Sequence, residues 1–136
     1  MKLLTRHTDY AIRALMFMAR KPSDITCAQE LITKLHIPDA FSRQLLQKLS
    51  KSGILKSHRG KDGGFSFKKQ PEKIRLLDIL EVFQGKGGLT SCILSGDICP
   101  DRAACPLRLR IKHIEAQMVK ELAKTTIASL LKEKAS

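Results

Sequence analysis

The chain is poor in aromatic residues and in acidic charge. Tryptophan is absent, and aromatic residues make up only 4% of the 136 residues. Because 43% of the residues are nevertheless hydrophobic, the core is expected to be aliphatic, as in helical proteins. Lys and Arg number 25 against 13 Asp and Glu, which gives a net charge of +12. Such a charge on a short chain attracts polyanions such as nucleic acid, although a basic surface that is merely solvated is the alternative.

Other absences narrow the class of protein further. No apolar run approaches the roughly 18 residues that indicate a membrane span. The N-terminal segment is interrupted by Arg6, Asp9 and Arg13, unlike the apolar region of a signal peptide. We therefore expect a cytoplasmic protein, in which clustered cysteines are metal ligands or redox sensors rather than disulfides. No Walker motif, dinucleotide-binding glycine pattern or evident acid–base pair is present, which argues against an enzyme.

The spacing of apolar residues predicts helices at 8–19, 26–35, 39–52, 76–84 and 106–131. Thr26 and Gln29 form a capping-box pattern at the start of the second helix, and Cys27 is expected on its buried face. The last helix carries apolar residues at near-heptad spacing, which suits helix pairing. They are Leu107, Ile111, Ile114, Met118 and Leu122.

Two short alternating segments, 54–58 and 65–69, flank a glycine-rich stretch and predict a β-hairpin. Three helices followed by such a hairpin form the winged helix–turn–helix arrangement. The expected fold is therefore mainly α with a small β-hairpin wing, followed by a long C-terminal helix. The expected division is a DNA-binding domain at 1–85, a cysteine-rich loop at 86–105 and the final helix at 106–136.

The third helix is the one expected to enter the major groove. On its outward face, Arg43 is expected to contact guanine, and Gln44 or Gln47 to contact adenine. Lys48 and Lys51, nearer its end, are expected to contact phosphates. Arg59, at the tip of the wing, suits a narrow minor groove, although an ordinary surface turn is the alternative for the hairpin. The predicted DNA-binding residues are Asp39, Ala40, Ser42, Arg43, Gln44, Gln47, Lys48, Lys51, Arg59 and Gly60.

The cysteines Cys92, Cys99 and Cys105 are spaced C-x6-C-x5-C in a stretch rich in Ser, Gly, Asp and Pro. Thiolates gathered on such a loop can hold a soft metal centre. A metal centre that takes four protein ligands needs one more than these three thiolates supply. The candidates for this ligand are Asp9, Asp97, Asp101 and His113. For Asp9 the alternative role is that of an acid favoured by the dipole at a helix N-terminus, and for His113 that of an exposed polar residue.

Several segments together resemble one bacterial family. They are TDYAIRAL at 8–15, LLQKLSKSGIL at 45–55, RGKDGGF at 59–65, LLDILEVFQG at 76–85 and the three-cysteine loop. They resemble the iron–sulfur-sensing winged-helix transcriptional regulators typified by IscR, NsrR and RirA, over nearly the whole chain. The resemblance implies a homodimer paired through the C-terminal helix and bound to a pseudo-palindromic DNA operator. It also implies that the homodimer is a repressor whose operator affinity responds to nitric oxide, redox or iron status.

The resemblance also implies an iron–sulfur cluster on Cys92, Cys99 and Cys105, with 4Fe–4S favoured over 2Fe–2S. In some members a fourth ligand comes from the partner subunit's first helix, from an acid placed like Asp9. IscR-like members instead use a histidine three residues after the last cysteine, where this chain has Arg108. The recognition-helix position that carries a glutamate in IscR is Arg43 here, so a different operator sequence is expected.

Three alternatives remain open from the sequence. The cysteines of a DNA-binding regulator can hold zinc or act as a thiol switch, although zinc prefers more closely spaced pairs. They can also have lost their function, with no cofactor at all. In the third alternative, from another class, the chain is an electron-transfer or catalytic iron–sulfur protein.

Overall fold

The computed structural model describes residues 4–85 and 106–133. In chain order its elements are α1 (Arg6–Ala19), α2 (Ala28–Leu35), α3 (Asp39–Lys51), β1 (Leu55–His58), β2 (Gly64–Phe67), α4 (Leu76–Gln84), α5 (Pro106–Lys124) and α6 (Ile127–Lys132). A 3-10 turn, Pro71–Lys73, precedes α4. The described part of the chain thus consists of helices and one two-stranded antiparallel hairpin, which confirms the predicted winged helix–turn–helix fold.

Helix α1 lies at the centre of the fold and packs against α2, α3, α4 and α6. It begins after Thr5, whose side chain accepts a hydrogen bond from the backbone N–H of Thr8. Ala11, Ala14 and Leu15 are fully buried along its length, and the two alanines let neighbouring helices approach closely. Because so many elements rest on α1, a displacement of this helix affects the whole domain.

Helices α2 and α3 are connected by a tight turn. His36 ends α2 in the left-handed conformation at φ 56°, and the following residue, Ile37, is buried. Pro38 then precedes the first residue of α3, where the missing proline N–H costs no helical hydrogen bond. Helix α3 buries Leu45, Leu46 and Leu49 and leaves its opposite face to solvent.

The wing is tied to the start of α2 as well as paired with itself. Its register places Leu55 opposite Phe67 and His58 opposite Gly64. Thr26 forms an additional antiparallel bridge with Phe65, through two backbone hydrogen bonds of 2.8 Å each. The hairpin is therefore held to the helical domain along one edge.

This bridge makes two predictions for the start of α2 wrong. Thr26 pairs with the wing instead of capping the helix, and the N-cap residue is Cys27, with no capping hydrogen bond from its side chain. Cys27 is only half-buried, and its thiol donates to the carboxylate of Glu30 at 3.8 Å. The capping-box prediction was wrong because the backbone of Thr26 is hydrogen-bonded to Phe65, a residue of the wing that is distant in sequence.

The predicted single helix at 106–131 is also wrong, because α5 ends at Lys124 and α6 begins at Ile127. Between them, the carbonyl of Thr125 accepts from Leu76 N at 2.9 Å, and Ile127 N donates to the carbonyl of Ile74 at 2.9 Å. Thr126 then caps α6 by accepting from Ser129 N at 3.1 Å. These bonds hold the chain extended where a continuous helix would need it coiled. Helix α6 consequently packs back on α1 and on the 3-10 turn.

The start of α4 is anchored by a cluster of charges. The guanidinium of Arg75 donates to Asp78 at 2.7 Å, and Lys69 Nζ lies 3.6 Å from the same carboxylate. Burial acts to raise the pKa of Asp78, but hydrogen bonds from the Arg75 side chain and backbone, with the Lys69 charge, outweigh it and lower this pKa. The carboxylate therefore stays charged and fixes the first turn of α4.

None of the helices within residues 4–85 and 106–133 is both long enough and apolar enough to cross a membrane.

Candidate nucleic-acid interface

The outward face of α3 is polar, basic and open to solvent. Asp39 at its start is exposed, while the buried leucines hold the opposite face against the domain. The outward residues predicted from the sequence are all exposed: Ala40, Arg43, Gln44, Gln47, Lys48 and Lys51. Donors suited to base edges and phosphates thus lie together on one helix face.

Ser42 is the exception among the predicted contact residues of α3. It is fully buried, and its hydroxyl donates to the carbonyl of Ile37 at 3.2 Å. The side chain therefore helps to fix the turn between α2 and α3 and is absent from the exposed face.

Arg43 is held by a neighbour on the same helix. Its Nε donates to Asp39 Oδ1 at 2.7 Å, and the two side chains are 65% and 63% exposed. Since Nε lies on one edge of the guanidinium plane, the two terminal nitrogens are left for a planar, bidentate contact. The pairing also balances the charge of Asp39, which would otherwise repel a phosphate backbone.

Lys48 lies at the junction between α3 and α4. Its ammonium is 5.6 Å from the ring centroid of Phe83, a residue of the last turn of α4. This distance is within the range of a cation–π interaction. A predicted DNA-contact residue is thus positioned by a helix outside the helix–turn–helix unit.

Arg59 and Gly60 are exposed at the tip of the wing. Gly60 has φ 110°, a conformation that L side chains rarely adopt. At Gly64 a Cβ atom would lie 2.6 Å from the carbonyl oxygen of Thr26, so a side chain there would push the wing off α2. Across the hairpin, His58 Nε2 and Ser66 Oγ lie 2.7 Å apart. The wing is therefore packed closely against the start of α2, and its tip has a defined backbone conformation.

The predicted metal ligands are only partly within the described residues. Cys92, Cys99 and Cys105 lie outside them, as do Asp97 and Asp101. Asp9 lies in the first turn of α1, and its side chain is 43% exposed and paired with Arg13 Nε at 3.0 Å. Within the described ranges, no three His, Cys, Asp or Glu residues are grouped so that they could hold a metal ion.

Sequence reasoning missed a polar contact between the two ends of the DNA-binding domain. The hydroxyl of Thr8, a fully buried residue, donates to Gln84 Oε1 at 2.8 Å. Thr5 N donates to the same oxygen at 3.3 Å. Seventy-six residues separate Thr8 from Gln84, so no local pattern could have revealed the contact.

The exposed basic helix and the anchored wing define a winged helix–turn–helix DNA-binding protein. Solved structures share this fold across nearly the full chain. CymR of B. subtilis aligns with a TM-score of 0.76 at 22% identity, covering 99% of this chain and 100% of that one. T. potens IscR aligns with a TM-score of 0.76 at 20% identity, covering 99% and 93%.

Comparison of the sequence with known proteins establishes the family of the chain. The chain belongs to the Rrf2 family, described as iron-dependent transcriptional regulators, whose model matches residues 4–133. A protein of Aquifex aeolicus named as an HTH-type transcriptional regulator is 32% identical over 125 residues, covering 90% of this chain and 86% of its own length. Protein aau3 of Rhizobium meliloti is 27% identical over 130 residues, covering 95% and 84%. The chain is thus a DNA-binding transcriptional regulator of a family of regulators, not of enzymes.

Proposed function

We propose that this regulator binds a pseudo-palindromic operator as a homodimer, and that an iron–sulfur cluster sets its operator affinity. The observation that carries the proposal is the position of the cysteines. Cys92, the first of them, follows Gln84 by only eight residues, and Gln84 belongs to the turn of α4 that contacts both α1 and α3. A change at the cysteines is thus linked by a short piece of chain to the DNA-binding domain.

Sequence recognition is assigned first to Arg43. With Nε held by Asp39 at 2.7 Å, the terminal nitrogens are oriented for O6 and N7 of a guanine in the major groove. Gln44 and Gln47, exposed on the same face, are the candidates for adenine. Asp39 is a positioning residue in this scheme, because it acts through Arg43 rather than on a base.

Affinity that is independent of sequence is assigned to the remaining basic residues. Lys48 and Lys51 lie toward the C-terminal end of α3, where the helix leaves the groove and approaches the backbone. Arg59 and Gly60 extend the contact at the wing tip. Each phosphate neutralised releases condensed counterions, so binding should weaken steeply with salt.

Dimerisation is assigned to α5. Leu107 and Ile114, two of its near-heptad positions, are 63% and 49% exposed, so this end of the apolar stripe is left uncovered. The near-heptad positions continue inward to Leu122, which is buried against the domain. A second α5 packed along this face would cover Leu107 and Ile114 and fix the spacing of the two α3 helices.

The donor set fits an iron–sulfur cluster of the 4Fe–4S type. Cys92, Cys99 and Cys105 would supply thiolates, the usual ligands of such clusters. Asp9 would supply the fourth ligand, once its carboxylate leaves Arg13. A carboxylate oxygen binds an iron–sulfur cluster less firmly than a thiolate does, which favours lability in a sensor. When bound, the cluster would supply a centre that responds to nitric oxide, redox state or iron supply.

A second candidate is a regulator that uses a thiol switch or zinc. One of the structural neighbours is described as the global cysteine regulator of B. subtilis, and another is CymR of Staphylococcus aureus in an oxidised form. In that case the cysteines would change operator affinity without iron or sulfide.

Anaerobic purification followed by iron and sulfide analysis, absorption spectroscopy and sedimentation separates these candidates. The proposal requires a brown dimer containing both iron and sulfide. A colourless protein that takes up neither on reconstitution would contradict the cluster. If such a colourless dimer changed its operator affinity on oxidation or on zinc addition, the second candidate would replace it.

A further inference from the structure

We propose that the last turn of α4, through Phe83 and Gln84, transmits the state of the cysteine-rich segment 86–105 to the DNA-binding face. This inference rests on the function proposed above and assigns the residues that couple its two parts. Phe83 and Gln84 are adjacent in sequence, yet they contact different helices. A displacement of this one turn would therefore act on α1 and α3 together.

Gln84 is bound to the beginning of α1. Its Oε1 accepts from the hydroxyl of Thr8 at 2.8 Å and from the backbone N–H of Thr5 at 3.3 Å. The hydroxyl oxygens of Thr5 and Thr8 lie 2.9 Å apart, so the three side chains form one polar network. Because Thr8 is fully buried with Gln84 in place, withdrawal of Gln84 would take away one hydrogen-bond acceptor of its hydroxyl. The network therefore favours one position of the α4 end.

The network also reaches the proposed fourth ligand. Thr5 caps α1, and Asp9 N donates to the carbonyl of Thr5 at 3.0 Å. Asp9 and Thr8 thus lie in the same first turn of α1. A displacement of Asp9 and a displacement of the chain after Gln84 would therefore both act on the polar network of Thr5, Thr8 and Gln84.

Phe83 carries the connection to the recognition helix. Its half-buried ring packs against the core, and Lys48 Nζ lies 5.6 Å from the ring centroid. If the ring moves, Lys48 loses this contact on the exposed side of α3. The contact thus links the end of α4 to a residue assigned to phosphate binding.

The two ends of α4 are held differently, which determines where movement occurs. The first turn is fixed by the Arg75–Asp78 ion pair and by the bond from Leu76 N to Thr125 O at 2.9 Å. The last turn ends at Gly85, with φ 79°, directly before residue 86. Displacement of the following chain would therefore be taken up at Phe83 and Gln84, while the anchored first turn stays in place.

The test is the ratio of the larger to the smaller operator Kd between the cluster-free and the cluster-loaded protein, measured anaerobically for the wild type and for variants. Thr8→Val and Gln84→Ala remove the polar network, and Phe83→Leu removes the aromatic ring while keeping an apolar side chain. Thr33→Val is the matched control, because it deletes a threonine hydroxyl on the exposed surface of α2. Cluster absorbance and circular dichroism are recorded for each protein.

We expect cluster content to stay at the wild-type level and the Kd ratio to fall toward one, by about two- to thirtyfold. Thr33→Val should keep the wild-type ratio. Amide hydrogen exchange gives a second readout: cluster loading should alter exchange in the first turn of α1 in the wild type and not in Gln84→Ala. Phe83→Leu keeps the test decisive if a polar variant fails to fold.

The outcomes separate the two proposals. A wild-type ratio near one would refute cluster control of operator binding, and the coupling with it. A wild-type ratio well above one that is retained in folded Gln84→Ala and Phe83→Leu would refute the coupling route and leave cluster control standing.

Discussion

Replacing Arg43 by alanine should remove discrimination at one base pair in each half-site of the operator. A bidentate contact to guanine contributes about 1–3 kcal/mol of discrimination. The Asp39–Arg43 ion pair is 63–65% exposed and changes little in this estimate, because exposed pairs contribute about 0.2–1 kcal/mol and Nε stays paired in the complex. Two half-sites in a dimer double the effect, so the expected loss is about 2–6 kcal/mol if distant sites add.

The assay is fluorescence anisotropy with operator duplexes, in which each base pair of both half-sites is substituted in turn. Wild-type protein should lose affinity when the guanine under Arg43 is replaced. The Arg43→Ala variant should bind the original and that substituted duplex equally, while it still discriminates at the other positions. Each protein–duplex combination is also measured over a range of salt concentrations. The slope of the logarithm of the binding constant against the logarithm of the salt concentration gives the number of phosphate contacts.

Three further variants control for charge. Lys51→Ala should weaken binding to all duplexes by the same factor and reduce the slope of the salt dependence by about one. Lys132→Ala on α6 is its control and should change neither the affinity nor the slope. Asp39→Asn should reduce discrimination at the same base pair as Arg43→Ala, by a smaller amount, because it frees the guanidinium. If Arg43→Ala instead weakens every duplex uniformly, in the manner of Lys51→Ala, the base-reading role of Arg43 is wrong.

Three other predictions concern the fold and the cysteines. Ile127→Ala should lower the free energy of unfolding by about 2–5 kcal/mol, because this side chain is fully buried. Leu131→Ala, at a 36% exposed position of the same helix, should lower it much less. Equal losses of stability for the two variants in urea titrations would contradict the packing of α6. Cys99→Ser should abolish the chromophore and leave a folded dimer, as judged by absorption and sedimentation. Since the pKa of Asp78 is lowered on folding, its contribution to stability is present above its ordinary pKa and is lost as pH falls through the folded value. The difference in unfolding free energy between the wild type and Asp78→Asn should therefore disappear in acid. A difference that does not change with pH would contradict this role of Asp78.

Much of the fold could be predicted from the sequence because local periodicity and packing agree there. The buried leucines of α3 repeat at helical spacing, and the alternation around a glycine-rich tip identifies the wing. The exposed face of α3 followed from the same periodicity, since the residues opposite the buried stripe must face solvent. Ser42 was misplaced because it lies among polar outward residues in sequence, while its hydroxyl finds a backbone acceptor at Ile37.

What the sequence could not reveal depends on pairings between distant segments. The break between α5 and α6 arises because residues 74–76 hydrogen-bond to residues 125–127, which interrupts an apolar pattern that would otherwise suit one helix. Thr26 was drawn into the wing by Phe65 for the same reason. The contact of Gln84 with Thr8 is likewise invisible to helical periodicity, because it joins side chains from the two ends of the domain.

The measurement that tests the central claim most directly is operator affinity of the same anaerobic protein before and after the cluster is removed. We expect a brown, iron- and sulfide-containing dimer whose operator Kd changes by about 5–150-fold when the cluster is lost, the usual range of allosteric coupling. The change should be absent in Cys99→Ser. Equal affinity of the loaded and cluster-free forms, at matched salt and with both proteins dimeric, would contradict the account.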